Sequence, residues 1–169
     1  FADQDSFRDS VQTPMPLDDL LAETKRMIVL GDAGAGKTTA LQALMLTLAD
    51  QASYALDHHQ PIRLPFFIDL NALTPEKAIE DLVLDRLYQY NLLSPDIHYN
   101  LRTLFDDSDM VIESLVFMID GLNEYWLSEM SDEGEDHDRA DQLEAINAFI
   151  HTFDDHAFVL TSRTQSYTP

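Results

Sequence analysis

Residues 31–38 read GDAGAGKT and fit the pattern G-x-x-x-x-G-K-[ST]. This segment follows the apolar run 27–30, which predicts a buried strand, and it precedes a stretch with apolar residues at helical spacing. A glycine-rich turn between a strand and a helix directs backbone N–H groups and the positive end of the helix dipole at one point. The segment therefore predicts a phosphate-binding loop of the Walker A type within an α/β fold.

The residue types of this loop divide the work of holding a nucleotide. Gly34 and Gly36 permit the backbone angles that turn successive N–H groups inward. We expect Lys37 to reach the β- and γ-phosphates, the Thr38 hydroxyl to ligate Mg²⁺, and Thr39 to support the α-phosphate. The predicted nucleotide-binding residues of this segment are Gly31, Asp32, Ala33, Gly34, Ala35, Gly36, Lys37, Thr38 and Thr39. The alternative is a glycine-rich turn that happens to contain a lysine.

An acid at the end of a second buried strand would supply the other half of such a site. Residues 115–119, LVFMI, are the strongest buried-strand candidate in the chain, and Asp120 follows them directly. We expect Asp120 to hold Mg²⁺, directly or through water, as a Walker B acid does. Glu124 could orient or deprotonate the attacking water. The alternatives are that Asp120 caps a turn and that Glu124 is a solvated acid.

Arg163 provides a third signal. It follows the strand candidate 157–161, and an arginine there can present its guanidinium to a γ-phosphate and so distinguish a triphosphate from a diphosphate. Pairing of Arg163 with a surface acid is the alternative. The sequence contains no Asn-Lys-x-Asp motif for reading guanine, which favours ATP over GTP.

The charge balance excludes several function classes. Lys and Arg number 10 and Asp and Glu number 31, so the formal net charge of the 169-residue chain is −21. Such a chain lacks the basic surface that binding to nucleic-acid backbones or anionic membranes requires. The sequence has no cysteine and no apolar run of transmembrane length, and its first residues do not show the basic-then-apolar pattern of a signal peptide. We therefore expect a soluble, cytoplasmic domain without a direct nucleic-acid or membrane partner.

Short apolar runs alternate with helical stretches along the chain. The strand candidates are residues 27–30, 64–70, 115–119 and 157–161. The helix candidates lie at 17–24, after Thr39, after Thr74-Pro75, after Ser94-Pro95 and at 139–153, with an acidic loop at 128–138. This alternation predicts a parallel sheet with helices on both faces. Residues 1–24 are expected to form a linker or arm with a short helix, and residues 25–169 the domain.

Four segments in this order resemble a known family: GDAGAGKTTAL, LPFFIDLNAL, LVFMIDGLNEY and FVLTSR. They are similar to the NACHT domain of the STAND-class P-loop NTPases, a group that includes animal NLR receptors and many bacterial defence proteins. The resemblance runs from about Met27 to Arg163. Its most specific part is residues 120–124, DGLNE, because a small residue after the Mg²⁺ acid and then a further acid are a hallmark of the family.

The resemblance implies a three-layer P-loop fold, incomplete at its C-terminus, that lacks helical and winged-helix subdomains. It implies that the 27–30 strand lies beside the 157–161 strand, with the 115–119 strand next. It also implies that Asp120 is the Mg²⁺ ligand, Glu124 the second acid and Arg163 the first sensor arginine. The family more often has Asp where this chain has Asn123, so the resemblance implies slow hydrolysis.

By this resemblance the chain is a nucleotide-dependent oligomerisation switch in signal transduction or innate immunity. ADP would hold the parent protein closed, and ATP with Mg²⁺ would allow self-association through NACHT faces. Effector and sensor domains would lie outside this chain. One alternative is a small-molecule kinase, although the sequence has no arginine-rich lid. Another is a scaffold with a vestigial site, against which the intact Lys37, Thr38 and Asp120 argue.

Overall fold

The computed structural model describes residues 16–74, 77–94, 96–104, 111–122 and 136–164. Helices and strands alternate along these residues. The helices are α1 (Leu17–Glu23), α2 (Lys37–Asp57), α3 (Ile79–Gln89) and α4 (Asp136–Thr152), with a short 3₁₀ helix at Leu70–Ala72. The strands are β1 (Arg26–Leu30), β2 (Ile62–Asp69), β3 (Ile112–Asp120) and β4 (Ala157–Ser162). The α/β architecture and all four predicted strands are confirmed.

The described strands form one parallel sheet in the order β1-β4-β3-β2. β4, the last of them in the chain, lies between β1 and β3, which confirms the predicted neighbours. The register pairs Leu30 with Ser162 and Asp69 with Asp120, so the strands end together at one edge. Ligands of open parallel sheets bind at this carboxyl edge, where the strand order changes direction.

Helices cover both faces of the sheet, because successive apolar side chains of the central strands point to opposite faces. On one face, Phe117 of β3 packs against Phe149 of α4 with ring centroids 4.9 Å apart. On the other face, Val116 and Met118 share a buried cluster with Leu41 and other side chains of α2. β3 is thus buried on both sides, as its continuous apolar run predicts. The predicted three layers are confirmed.

The predicted helix start at Thr74-Pro75 is wrong by several residues. α3 begins at Ile79, and the Asp81 carboxylate accepts the Ala78 N–H at 3.1 Å. The backbone carbonyl of Thr74 instead accepts the Lys77 N–H in a turn. An acid in the first helical turn can satisfy a backbone donor that a threonine four residues earlier cannot reach. Pro75 itself lies outside the described residues.

The helix predicted after Ser94-Pro95 is also wrong. Residues 96–104 form turns, and the Asn100 side chain accepts the Arg102 N–H at 2.9 Å. Asparagine competes for backbone donors in this way and favours turns over helices. Leu101 is still 2% exposed and joins the core beneath α3 and α4, so the apolar pattern anchors a loop. Pro95 and residues 105–110 lie outside the described residues.

One smaller boundary also differs from the predictions, and the short helix predicted at 17–24 is present as α1. α4 begins at Asp136, so the last residues of the predicted acidic loop are helical. α1, predicted as part of a linker or arm, contributes Leu21 to the buried cluster with Leu41. The Leu21 carbonyl also accepts a hydrogen bond from the Arg63 guanidinium at 3.2 Å. The helix of the predicted arm therefore packs against the sheet and α2.

Candidate functional site

The loop between β1 and α2 has the backbone geometry of an anion cradle. Gly34 and Gly36 have φ angles of 76° and 83°, in the left-handed region that glycine adopts with the least strain. α2 begins directly afterwards at Lys37, and its first turn contains no acidic residue. The backbone N–H groups and the positive helix end at this point are thus not opposed by a nearby carboxylate of α2.

Lys37 bends back over the loop that precedes it. Its ammonium group donates to the carbonyl oxygen of Gly31 at 2.8 Å and to that of Asp32 at 3.0 Å. These two bonds hold a positive charge above the loop backbone. A lysine in this position can contact the oxygens of a phosphate held by the loop.

Asp120, at the end of β3, connects the loop to the neighbouring strand. Its Oδ2 accepts a hydrogen bond of 2.6 Å from the Thr38 hydroxyl on the first turn of α2. Its Oδ1 accepts a hydrogen bond from the Thr161 hydroxyl on β4. Thr161 in turn accepts the backbone N–H of Gly121 at 3.3 Å. Three separate parts of the chain therefore meet at one carboxylate.

Gly121 follows this acid with a φ angle of 88°. A Cβ atom added there would lie 3.2 Å from the Asn71 side-chain nitrogen. That amide is held in place, since it donates to Asp69 Oδ1 at 2.9 Å. Both the backbone angle and the close approach of Asn71 therefore favour a residue without a side chain immediately after Asp120.

A cavity of about 250 Å³ opens between the loop and the ends of β3 and β4. Eleven residues line it: Gly34, Gly36, Lys37, Thr38, Thr39, Asp120, Gly121, Leu122, Thr161, Ser162 and Arg163. The structure thus brings together seven of the predicted site residues. Gly31, Asp32, Ala33 and Ala35 belong to the same loop but are not among the residues that line the cavity. Glu124 lies outside the described residues.

The comparison with protein families agrees with this geometry. The family model of the NACHT domain matches residues 25–168. The chain belongs to the NACHT domain family. It is therefore a nucleoside triphosphatase module with a P-loop fold. A search of curated proteins found no relative that matches the chain. Within the part of the chain that the structure describes, no helix is long and apolar enough to cross a membrane.

The residues of this NACHT domain fit the Mg²⁺ ion that its family implies. Mg²⁺ prefers oxygen ligands and is commonly held by one or two protein groups together with substrate phosphates. The Thr38 hydroxyl and the Asp120 carboxylate are such oxygens, and they lie within hydrogen-bond distance beside the loop. Among the described residues, no group of three or more His, Asp or Glu could hold a metal ion alone. The donor set therefore suits a metal that arrives with a nucleotide.

Two polar residues that line this cavity were not among the predicted site residues. Thr161 and Ser162 are 1% and 4% exposed and line the same cavity. They are the last two residues of β4, directly before Arg163. Two hydroxyl residues at the end of an otherwise apolar strand are a signal that could have been read, because buried hydroxyls require a hydrogen-bond partner.

Proposed function

We propose that this NACHT domain binds ATP and ADP with Mg²⁺ and acts as a nucleotide-dependent oligomerisation switch in a signalling or defence protein. The observation that carries the proposal is the hydrogen bond of 2.6 Å between Thr38 and Asp120. It joins the hydroxyl next to the loop lysine to the acid at the end of β3, beside a cavity that both residues line. A phosphate loop and a metal-binding acid can hold one nucleotide together with its metal ion only when they are adjacent.

The loop residues would hold the phosphates. Lys37 would donate to the β- and γ-phosphates, the N–H groups around Gly34 and Gly36 would donate to phosphate oxygens, and Thr39 would support the α-phosphate. The net charge of −21 does not oppose this binding strongly, because salt screens exposed charges beyond about 8–10 Å. The contacts of the loop act at much shorter range.

Hydrolysis would use Asp120, at the end of β3, and Glu124, four residues further along the chain. Thr38 and Asp120 would hold Mg²⁺, which neutralises charge on the phosphate oxygens when it is bound. Glu124 would orient the attacking water and accept its proton. Asn123 keeps hydrogen-bonding capacity and lacks a negative charge, so we expect slow turnover, as suits a switch that must remain in its ATP state.

Switching requires a group that interacts differently with ATP and ADP. Arg163 would do so, because a guanidinium that pairs with the γ-phosphate loses its partner when ADP is bound. The ATP form would self-associate through NACHT faces, and effector and sensor domains would lie outside this chain. The acidic composition suits a cytoplasmic protein without a direct nucleic-acid or membrane partner.

The experiment is a calorimetric titration of the chain with ADP and with ATP, each with and without Mg²⁺. Lys37→Ala should weaken binding by about 10- to 100-fold, because each hydrogen bond to a charged group contributes about 1.5–3 kcal/mol. Lys25→Ala is the matched control. Lys25 donates to the Asp155 carbonyl at 2.9 Å, at the opposite end of β1, so its loss removes an equal charge away from the cavity.

Three outcomes bear on the proposal. Equal affinity of the Lys37→Ala variant and the unsubstituted chain would overturn the site assignment. Intact binding of the Glu124→Gln variant with unchanged ATP turnover would remove the role of Glu124. Transfer of the γ-phosphate to an added small-molecule acceptor would replace the switch with a kinase.

A further inference from the structure

We infer that Thr161 is a positioning residue, which holds Asp120 so that one carboxylate oxygen faces the metal site. The inference deepens the proposed function and rests on it. Thr161 is the fifth residue of β4 and is 1% exposed. It lies between two groups of the neighbouring strand end, the Asp120 carboxylate and the Gly121 N–H.

The hydrogen atoms in this arrangement can be assigned by elimination. A backbone N–H can only donate, and an ionised carboxylate can only accept. A hydroxyl has one hydrogen and two lone pairs. The Thr161 hydroxyl must therefore accept from Gly121 and donate to Asp120 Oδ1, and the reverse arrangement is excluded. The rotation of the hydroxyl is fixed, because neither partner can exchange its role as donor or acceptor.

The two hydroxyls that contact Asp120 are not equivalent. Thr38 is exposed on the first turn of α2, and its hydroxyl is free to turn its lone pair towards a metal ion at the cavity. Thr161 is buried, its hydroxyl hydrogen is donated to Asp120 Oδ1, and one of its lone pairs accepts the Gly121 N–H. When Thr38 turns away, Oδ2 becomes available and Oδ1 remains held. Thr161 thus determines which oxygen of Asp120 faces the metal.

An aspartate needs such a partner because its terminal torsion has only a weak intrinsic preference. The χ2 angle of Asp is broad and roughly two-fold, so packing and hydrogen bonds decide the orientation of the carboxylate. Without the Thr161 hydroxyl, Asp120 would sample orientations in which neither oxygen is directed well at the metal. The affinity for the metal ion would fall, while the phosphate contacts of the loop would be retained.

The test compares Thr161→Val, which removes the hydroxyl at nearly constant shape, with Thr161→Ser, which keeps it. The readout is the factor by which Mg²⁺ raises ATP affinity, from titrations with Mg²⁺ and with EDTA. Thr161→Val should lower this factor about tenfold, which is near the contribution of one hydrogen bond to a charged group. Its affinity in EDTA should stay within about twofold of the unsubstituted chain, and Thr161→Ser should restore most of the Mg²⁺ factor.

Thr47→Val is the matched control, since Thr47 is exposed within α2 and its hydroxyl bonds only the Ala43 carbonyl among the contacts described. It should leave the Mg²⁺ factor unchanged. Circular dichroism establishes that each variant folds, and Thr161→Ala replaces Thr161→Val if the valine variant does not.

Two results would overturn the role of Thr161. One is an unchanged Mg²⁺ factor in a folded variant that lacks the hydroxyl. The other is an equal loss of affinity with Mg²⁺ and with EDTA, which would make the residue merely structural. Failure of the unsubstituted chain to bind nucleotide at all would instead contradict the proposed function, and the inference would fall with it.

Discussion

The Asn71 side chain crowds the position of a side chain at residue 121: its amide nitrogen lies 3.2 Å from the point where a Cβ on Gly121 would stand. The 3₁₀ helix after β2 and the turn after β3 are thus in close contact at the carboxyl edge of the sheet. This contact accounts for the small residue after Asp120 in physical terms. The φ angle of Gly121 is positive, and the Asn71 side chain would have to move by a few tenths of an ångström to admit a Cβ.

Gly121→Ala should therefore destabilise the domain by about 1–3 kcal/mol, the usual cost of a residue held in a sparsely populated backbone region. Chemical denaturation would measure the change in the free energy of unfolding. Gly34→Ala is the useful comparison, because Gly34 has a φ angle of 76° but nothing within 4 Å of its added Cβ. It carries the backbone strain without the crowding. A second comparison is the double variant Asn71→Ala with Gly121→Ala. It should recover only the part of the free energy of unfolding that is lost through crowding by Asn71. Equal stability of Gly121→Ala and the unsubstituted chain would contradict this account.

Arg163→Ala should weaken ATP binding more than ADP binding, by about tenfold in the ratio of the two affinities. The reason is that only ATP carries the phosphate that the guanidinium is proposed to contact. Calorimetric titration with each nucleotide measures the ratio. Arg163→Lys keeps the positive charge but not the planar pair of donors, so it should give an intermediate ratio. A uniform loss for ATP and ADP would show that Arg163 does not distinguish them.

His156 should make stability depend on pH. Burial lowers the pKa of its imidazole below the ordinary value of 6.5; Lys25 acts in the same direction, while Asp155 and Asp154 oppose it. Its Nδ1 also lies 3.4 Å from the Leu115 N–H, which donates to the unprotonated ring. The unfolded chain therefore takes up a proton at higher pH than the folded chain does.

The contribution of His156 to the free energy of unfolding is complete above pH 6.5 and is lost as the pH falls through the lower folded pKa. Denaturation between about pH 5 and 8 would measure it. His156→Asn is the control, because its amide oxygen can accept the Leu115 N–H and does not titrate. The difference in the free energy of unfolding between the unsubstituted chain and the His156→Asn variant should shrink or reverse towards acidic pH. Profiles that run parallel throughout would rule out the histidine as the cause.

The sequence predicted the sheet well because local signals and packing agree there. Residues 115–119 are apolar without interruption, and the strand they form is covered on both faces. The strand order was available only through the resemblance, since apolar patterns do not record which strands are neighbours. The turn region 96–104 was predicted wrongly because Leu101 has the spacing and burial of a helical residue while Asn100 satisfies its backbone as a turn.

The candidate site was predicted in its parts and not in its connections. The loop and Asp120 follow strands in a pattern that can be read from sequence. Thr161 contacts Asp120 across 41 positions, and only the insertion of β4 beside β3 brings them together. The local sequence marks Thr161 as a polar residue at a strand end and cannot name its partner.

The position of β4 has a consequence for the synthesis of the protein on the ribosome. β1 is made early, but its partner strand is made last among the described strands, after β2 and β3. At about 5–20 residues per second, a ribosome takes on the order of ten seconds to supply it. Until then the edges of β1 and β3 that β4 will cover have no strand between them, and such edges attract other chains. Thr161, Ser162 and Arg163, which line the cavity, are made with this strand or directly after it, so the lining of the cavity is complete only once the strand that also seals those edges has arrived.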